Sequence, residues 1–150
     1  MRTIHRDIVG GFIFSKDGRL LLGKNRKGGV YEGSFVVPGG GVDKGEIKEI
    51  ALHREMLEET GIDINKAKVS LIYTSSGESE KTLRDTKERV FVKMVFFNYR
   101  IDLNQNFDEV ILKTEDDWCE PCWFKIDELK DINLGGPVRN TLIAIELIKN

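Results

Sequence analysis

Three glutamates, Glu55, Glu58 and Glu59, stand at i, i+3 and i+4 in a stretch that reads as a helix ending at Gly61. That spacing puts their carboxylates on one side of the helix, where like charges repel. They also fall in its last turns, at the negative end of the helix dipole, where anions are unwelcome. A divalent cation cancels both penalties. Hard cations take oxygen ligands from carboxylates, carbonyls, water and phosphates. The trio therefore points to a magnesium-type site. The bland alternative is a solvated acidic face, with Arg54 pairing to Glu58 four residues on.

The preceding residues favour the metal. "PGGG" at 38–41 puts flexible backbone ahead of the helix, able to approach a ligand closely and offer carbonyl oxygens. Asp43 as N-cap with Glu46 three residues later has the spacing of a capping box, and Gly61 supplies the stop. A bound divalent ion neutralises phosphate charge and activates water near neutral pH.

Other elements must hold this helix in place. Apolar runs at 8–14 and 20–24 flank "SKDGR", whose Asp17-Gly18 is a hairpin signal. A polar loop at 25–34 leads to a short buried strand, 35–38, that stops at Pro38. Strands are expected at 68–76, 88–101 and 122–126, with a charged loop between the first two and a terminal helix over 138–149. Strands around two helices predict an α/β or α+β class with a mixed sheet between helical layers.

Bulk properties narrow the function classes. The 150 residues, 40% hydrophobic and 32% charged, suit one soluble domain spanning 1–150. A net charge of −2 gives no basic footprint for general nucleic-acid binding. No apolar run is long enough to span a membrane, and the N-terminus lacks a signal-peptide pattern. With only Cys119 and Cys122, a reduced, cytoplasmic setting is the expectation.

The stretch from 40 to 62 closely resembles the signature of the Nudix hydrolases. Gly40 is followed after five residues by Glu46, then after seven by Arg54-Glu55, Met56, one free position, Glu58-Glu59, one free position, Gly61 and Ile62. The resemblance implies an α/β/α sandwich with a mixed sheet. It also implies hydrolysis of a nucleoside diphosphate linked to another moiety, with Mg2+ or Mn2+. By motif position, Glu55, Glu58 and Glu59 would be metal ligands, with the Gly39 carbonyl a further one. Arg54 would hold the carboxylates, Glu46 would lie near the metal, and Glu55 is the position most easily cast as the base for water.

Outside the motif the expectations rest on looser analogy. Lys24 and Arg26, ending the second strand, can meet a phosphate, and Tyr31 or Phe35 can stack on a base; solvation and packing are the ordinary readings of these types. Asp117 or Glu120 could approach the metals from across the site, with a surface acidic cluster as the equal alternative. A nucleoside triphosphate or nucleotide sugar ranks first as substrate, the partner being a small-molecule nucleotide. "EPCWFKIDEL" is similar to MutT-type oxidised-purine triphosphatases, but "DINLGGP" replaces their base-reading tryptophan and aspartates.

Two rival readings differ in class. One is a Nudix domain that binds nucleotides without turnover. The other is a thiol–disulfide oxidoreductase, since "WCEPCW" resembles a thioredoxin-type motif; that chemistry needs the cysteines at a helix N-terminus, whereas a strand pattern follows them. Exposed strand edges allow a monomer or a homodimer.

Overall fold

The apolar run at 8–14 is the second half of a longer strand, β1 (Arg2–Phe14), and its company explains its composition. On one side it runs parallel to β6 (Arg89–Asp102), from Arg2 opposite Val90 to Phe14 opposite Asp102. Its other side is antiparallel to β4 (Gly39–Gly41) and, at Phe14, to β2 (Leu20–Asn25). A central strand covered on both faces must be continuously apolar; Val9, Phe12, Ile13 and Phe14 are all buried. The computed structural model describes residues 1–25, 33–113 and 118–150, without the side chains of Asn25 and Cys119. Arg26, Tyr31 and Asp117 therefore lie outside the described residues.

Gly18 turns the β1–β2 connection with φ 87°. Beyond β2 the sheet continues through β3 (Phe35–Val36) and, on another stretch of β2, β7 (Trp118–Phe124). The strand expected from Cys122 thus begins four residues earlier and contains the whole "WCEPCWF" segment. Its register slips between Leu22 and Lys24, so Glu120 and Pro121 bulge opposite Gly23, with Glu120 at φ 51°. A proline is tolerated in a strand at such a bulge. Trp118 is buried, and its indole N–H donates to the Val36 carbonyl at 3.0 Å, fastening β7 to β3.

The first half of the expected charged loop between strands is strand as well. β5 (Lys68–Thr82) pairs antiparallel with β6 along its whole length, leaving only 83–88 as the turn. Cross-strand neighbours explain the extension: Glu78 faces Lys93, and Glu80 reaches Arg89. Opposite charges across an antiparallel pair favour pairing over a solvated loop.

Helix α1 spans Lys48–Thr60, and it does not start at Asp43. The Glu46 carboxylate does accept from the Asp43 N–H at 2.9 Å, as a capping box would have it, but the bond closes a separate turn. Gly45 within that turn has φ 80°, which a right-handed helix cannot include. The helix cap is Ile47, without a side-chain hydrogen bond, and Gly61 ends the helix in the left-handed conformation as expected. The last helix, α2 (Gly136–Ala144), stops earlier than its periodicity suggested, and Glu146 just beyond it has φ 63°.

Adjacent glycines in β1 show how the layers stack. A methyl group on Gly11 would meet the Met56 sulfur of α1 at 2.5 Å. On Gly10 it would instead meet Asn98 and Val37, where Pro137 and Val138 of α2 close the space. Successive residues of a strand face opposite sides of the sheet. The mixed sheet therefore lies between α1 and α2, an α/β/α sandwich. Among the described residues no helix is long and apolar enough to cross a membrane.

Candidate active site

Arg54 sits at the centre of the acidic face of α1. Its Nε and Nη2 donate to the two carboxylate oxygens of Glu46, both at 2.9 Å, a bidentate pair. Nη1 donates to Glu55 at 2.9 Å and reaches Glu58 at 3.5 Å, while Nη2 also donates to the Gly41 carbonyl at 3.0 Å. Asp43 approaches the same guanidinium at 3.5 Å. Glu59 accepts from the Gly39 N–H at 2.9 Å, which ties the helix to β4.

These contacts give the carboxyls different proton affinities. The Arg54 guanidinium, helped by the Asp43 N–H, lowers the Glu46 pKa from 4.5 to about 2. Arg54 itself is pushed above its ordinary value, chiefly by the bond to Glu46. Glu55 moves the other way. Its side chain is only 12% exposed, against 53% for Glu58, and burial raises its pKa despite the bond from Arg54. The Glu58 charge adds to that rise.

The "PGGG" glycines prove to be a paired strand, and what they contribute is bare backbone. A methyl group on Gly40 would lie 2.5 Å from the Glu55 carboxylate. One on Gly39 would collide with the Val9 carbonyl oxygen, so β4 could not lie against β1. On Gly41 it would meet the Arg6 guanidinium at 2.6 Å.

This arrangement suits a hard divalent cation by donor type. Carboxylate oxygens share one helix side, and the partly buried Glu55 carries a charge that its surroundings disfavour, which a cation would relieve. Among the described residues no three such side chains already converge on a common point, because Arg54 and Gly39 hold the carboxylates instead.

Beside β4 a pocket of about 210 Å³ runs past Gly39 and Gly40 to Gly10, Phe96, Asn98 and Pro137. Its wall is mainly apolar, as ligand pockets usually are. Residues singled out beyond the motif fare unevenly. Lys24 and Phe35 are register neighbours, with the ammonium 5.1 Å from the ring centre, yet that ring packs edge-on against Phe124 at 5.0 Å. Glu120 is exposed at the β7 bulge and takes no part in the Arg54 network. Cys122 is a free, exposed thiol on a strand, so the helix N-terminus required for thioredoxin-type chemistry is not there.

Sequence reasoning missed the Gly41 carbonyl, Arg6, and the polar pair formed by Asn98 and Thr141. Asn98 did leave a signal, as a lone amide interrupting the apolar run "MVFFNY".

Known proteins resemble this chain in sequence and in fold. A family model described as NUDIX domain matches residues 4–143. A nucleoside triphosphatase NudI of Escherichia fergusonii is 31% identical over 137 residues, 87% of this chain and 89% of that protein. An RNA pyrophosphohydrolase of Caulobacter vibrioides is 48% identical over a shorter stretch of 59 residues, 39% of this chain and 33% of that protein. The NUDIX domain of Shewanella oneidensis NrtR complexed with ADP ribose shares the fold, with a TM-score of 0.69 at 15% identity, covering 95% of this chain and 87% of that one. A MutT protein from Methanosarcina mazei does so at 0.64 and 19%, covering 98% and 95%.

The chain belongs to the Nudix family. It is a hydrolase acting on pyrophosphate bonds, in a family that generally uses divalent metal ions.

Proposed function

We infer that this chain, as one domain over 1–150, hydrolyses a pyrophosphate bond in a small nucleotide, with a nucleoside triphosphate ahead of a nucleotide sugar. The observation that carries this reading is the partly buried Glu55 carboxylate, resting on bare Gly40 backbone and gripped by Arg54. Similarity to a nucleoside triphosphatase along most of the chain supports the triphosphate.

Glu55, Glu58, Glu59 and the Gly39 carbonyl would hold Mg2+, or Mn2+ in its place. When bound, the ion supplies charge neutralisation on the phosphates and a more acidic water. Arg54 positions the carboxylates, and Glu46 holds Arg54 in its fork. Glu55 is also the carboxylate we assign to take the proton from water attacking phosphorus. Lys24 and Arg26 are proposed to meet phosphate, with Phe35, Asp117 and Glu120 as secondary candidates around the substrate. The bond-breaking step leaves little covalent work to side chains, so positioning and electrostatics carry the rate.

The test is incubation with Mg2+ and a panel of nucleoside triphosphates and nucleotide sugars, with products separated by chromatography. Cleavage between phosphates is expected. Binding of nucleotide without hydrolysis of any member would replace this reading with a non-catalytic module.

A further inference from the structure

We propose that Asn98 reads the base of the nucleotide, offering a carbonyl acceptor that Thr141 turns into the pocket. This rests on the reading of the substrate as a nucleotide, and it adds the residue that selects among bases.

The Thr141 hydroxyl has a single proton to donate. That proton is donated to the Pro137 carbonyl at 2.9 Å, one turn back along α2. The oxygen can then only accept. Asn98 lies 3.4 Å away, so its Nδ2 must be the atom facing Thr141, because Oδ1 there would set two acceptors against each other. The bond is long, but its direction is fixed by what Thr141 has left to offer.

Oδ1 consequently points the other way, and there it meets glycine. The position a Gly10 side chain would occupy is 3.1 Å from Oδ1, so only a residue without a Cβ leaves that oxygen uncovered. Oδ1 has no hydrogen-bond partner among the described residues, yet no buried side-chain polar atom is sealed off without one. The oxygen therefore opens onto the pocket that Gly10 and Asn98 both line. Asn98 as a whole is 9% exposed, and Thr141 only 1%.

An acceptor held in a mainly apolar wall is costly while unpaired. A ligand N–H placed against it recovers that cost, and an otherwise identical ligand lacking the N–H does not. The same pocket reaches Gly39 and Gly40 of β4, the strand that Glu59 of α1 grips through the Gly39 N–H. The chemistry recognised is thus an N–H donor on the base edge, such as an exocyclic amine.

The experiment uses triphosphate pairs that differ only by that amine: GTP and ITP, ATP and purine riboside triphosphate, CTP and 2-pyrimidinone riboside triphosphate. For wild type, kcat/KM should favour the amine-bearing member of at least one pair by about tenfold or more, mainly through KM. In Asn98→Leu the ratio should fall toward one, through the KM of the amine-bearing member. Thr141→Val should lower the ratio similarly and Thr141→Ser restore it, which a purely structural role would not produce. The Thr141 variants also carry the test if Asn98→Leu fails to fold. Competition binding of the same nucleotides in EDTA gives a second readout. An unchanged ratio in Asn98→Leu, or no preference within any wild-type pair, overturns the proposal while hydrolysis stands. If nothing is hydrolysed but binding shows the amine preference and its loss in Asn98→Leu, base reading holds and the hydrolytic reading falls.

Discussion

Two regions meet at β4, and they are built in opposite ways. On the α1 side, charge is dense, and Arg54 alone engages Glu46, Glu55, Glu58 and Asp43. In the pocket that runs past Gly10, one amide interrupts a largely apolar wall, positioned by a hydroxyl from another helix. The first region organises charge for a reaction shared by many substrates. The second presents shape and one hydrogen-bonding atom, which is what choosing among substrates requires. Damage to the first should therefore lower turnover on every nucleotide, and damage to the second should reorder the nucleotides.

The largest effect should come from Glu58→Gln or Glu59→Gln. Turnover is expected to fall by about 100-fold or more on all substrates. Circular dichroism should stay unchanged, since glutamine at 59 can still accept from the Gly39 N–H. Arg54→Lys keeps the charge and loses the fork. It should cost about 10–100-fold in activity, again without changing base preference.

The glycines sharpen the contrast further. Gly40→Ala intrudes on the end of a flexible side chain, Glu55, so activity should drop while the fold survives. Gly39→Ala intrudes on the backbone of Val9, and overpacking there should cost stability of about 1–3 kcal/mol, measured by urea denaturation.

The smallest expected effect is in pH dependence. Glu46 has its folded pKa lowered from 4.5 to about 2, so its contribution to stability is present above 4.5 and is lost as pH falls through about 2. The stability gap between wild type and Glu46→Gln should close over that window. Glu55 has the opposite sign: its raised pKa makes the folded state less favoured as pH rises past 4.5. Metal-free Glu55→Gln should accordingly lose less stability than wild type between acid and neutral pH, read from thermal midpoints.

The same contrast explains what could be read from sequence. Glu55, Glu58 and Glu59 belong to one helix, so spacing alone places their side chains together. Arg54 and Glu46 were legible through the motif, although the turn at Gly45 separates Glu46 from the helix it was expected to cap. The β5–β6 hairpin was underestimated because Glu78 and Glu80 look like loop residues until their cross-strand partners, Lys93 and Arg89, are known. Asn98 and Thr141 are 43 residues apart and of ordinary type. Only the parallel pairing of β1 with β6, and α2 lying over it, brings Gly10, Asn98 and Pro137 to one pocket.

The most direct test compares wild type, Glu59→Gln and Asn98→Leu in Mg2+ on one set of nucleoside triphosphates, measuring kcat and KM for each. Glu59→Gln should lose turnover on every nucleotide with the ranking preserved, whereas Asn98→Leu should change the ranking. Near wild-type turnover in Glu59→Gln would contradict the assignment of the acidic helix as the hydrolytic centre.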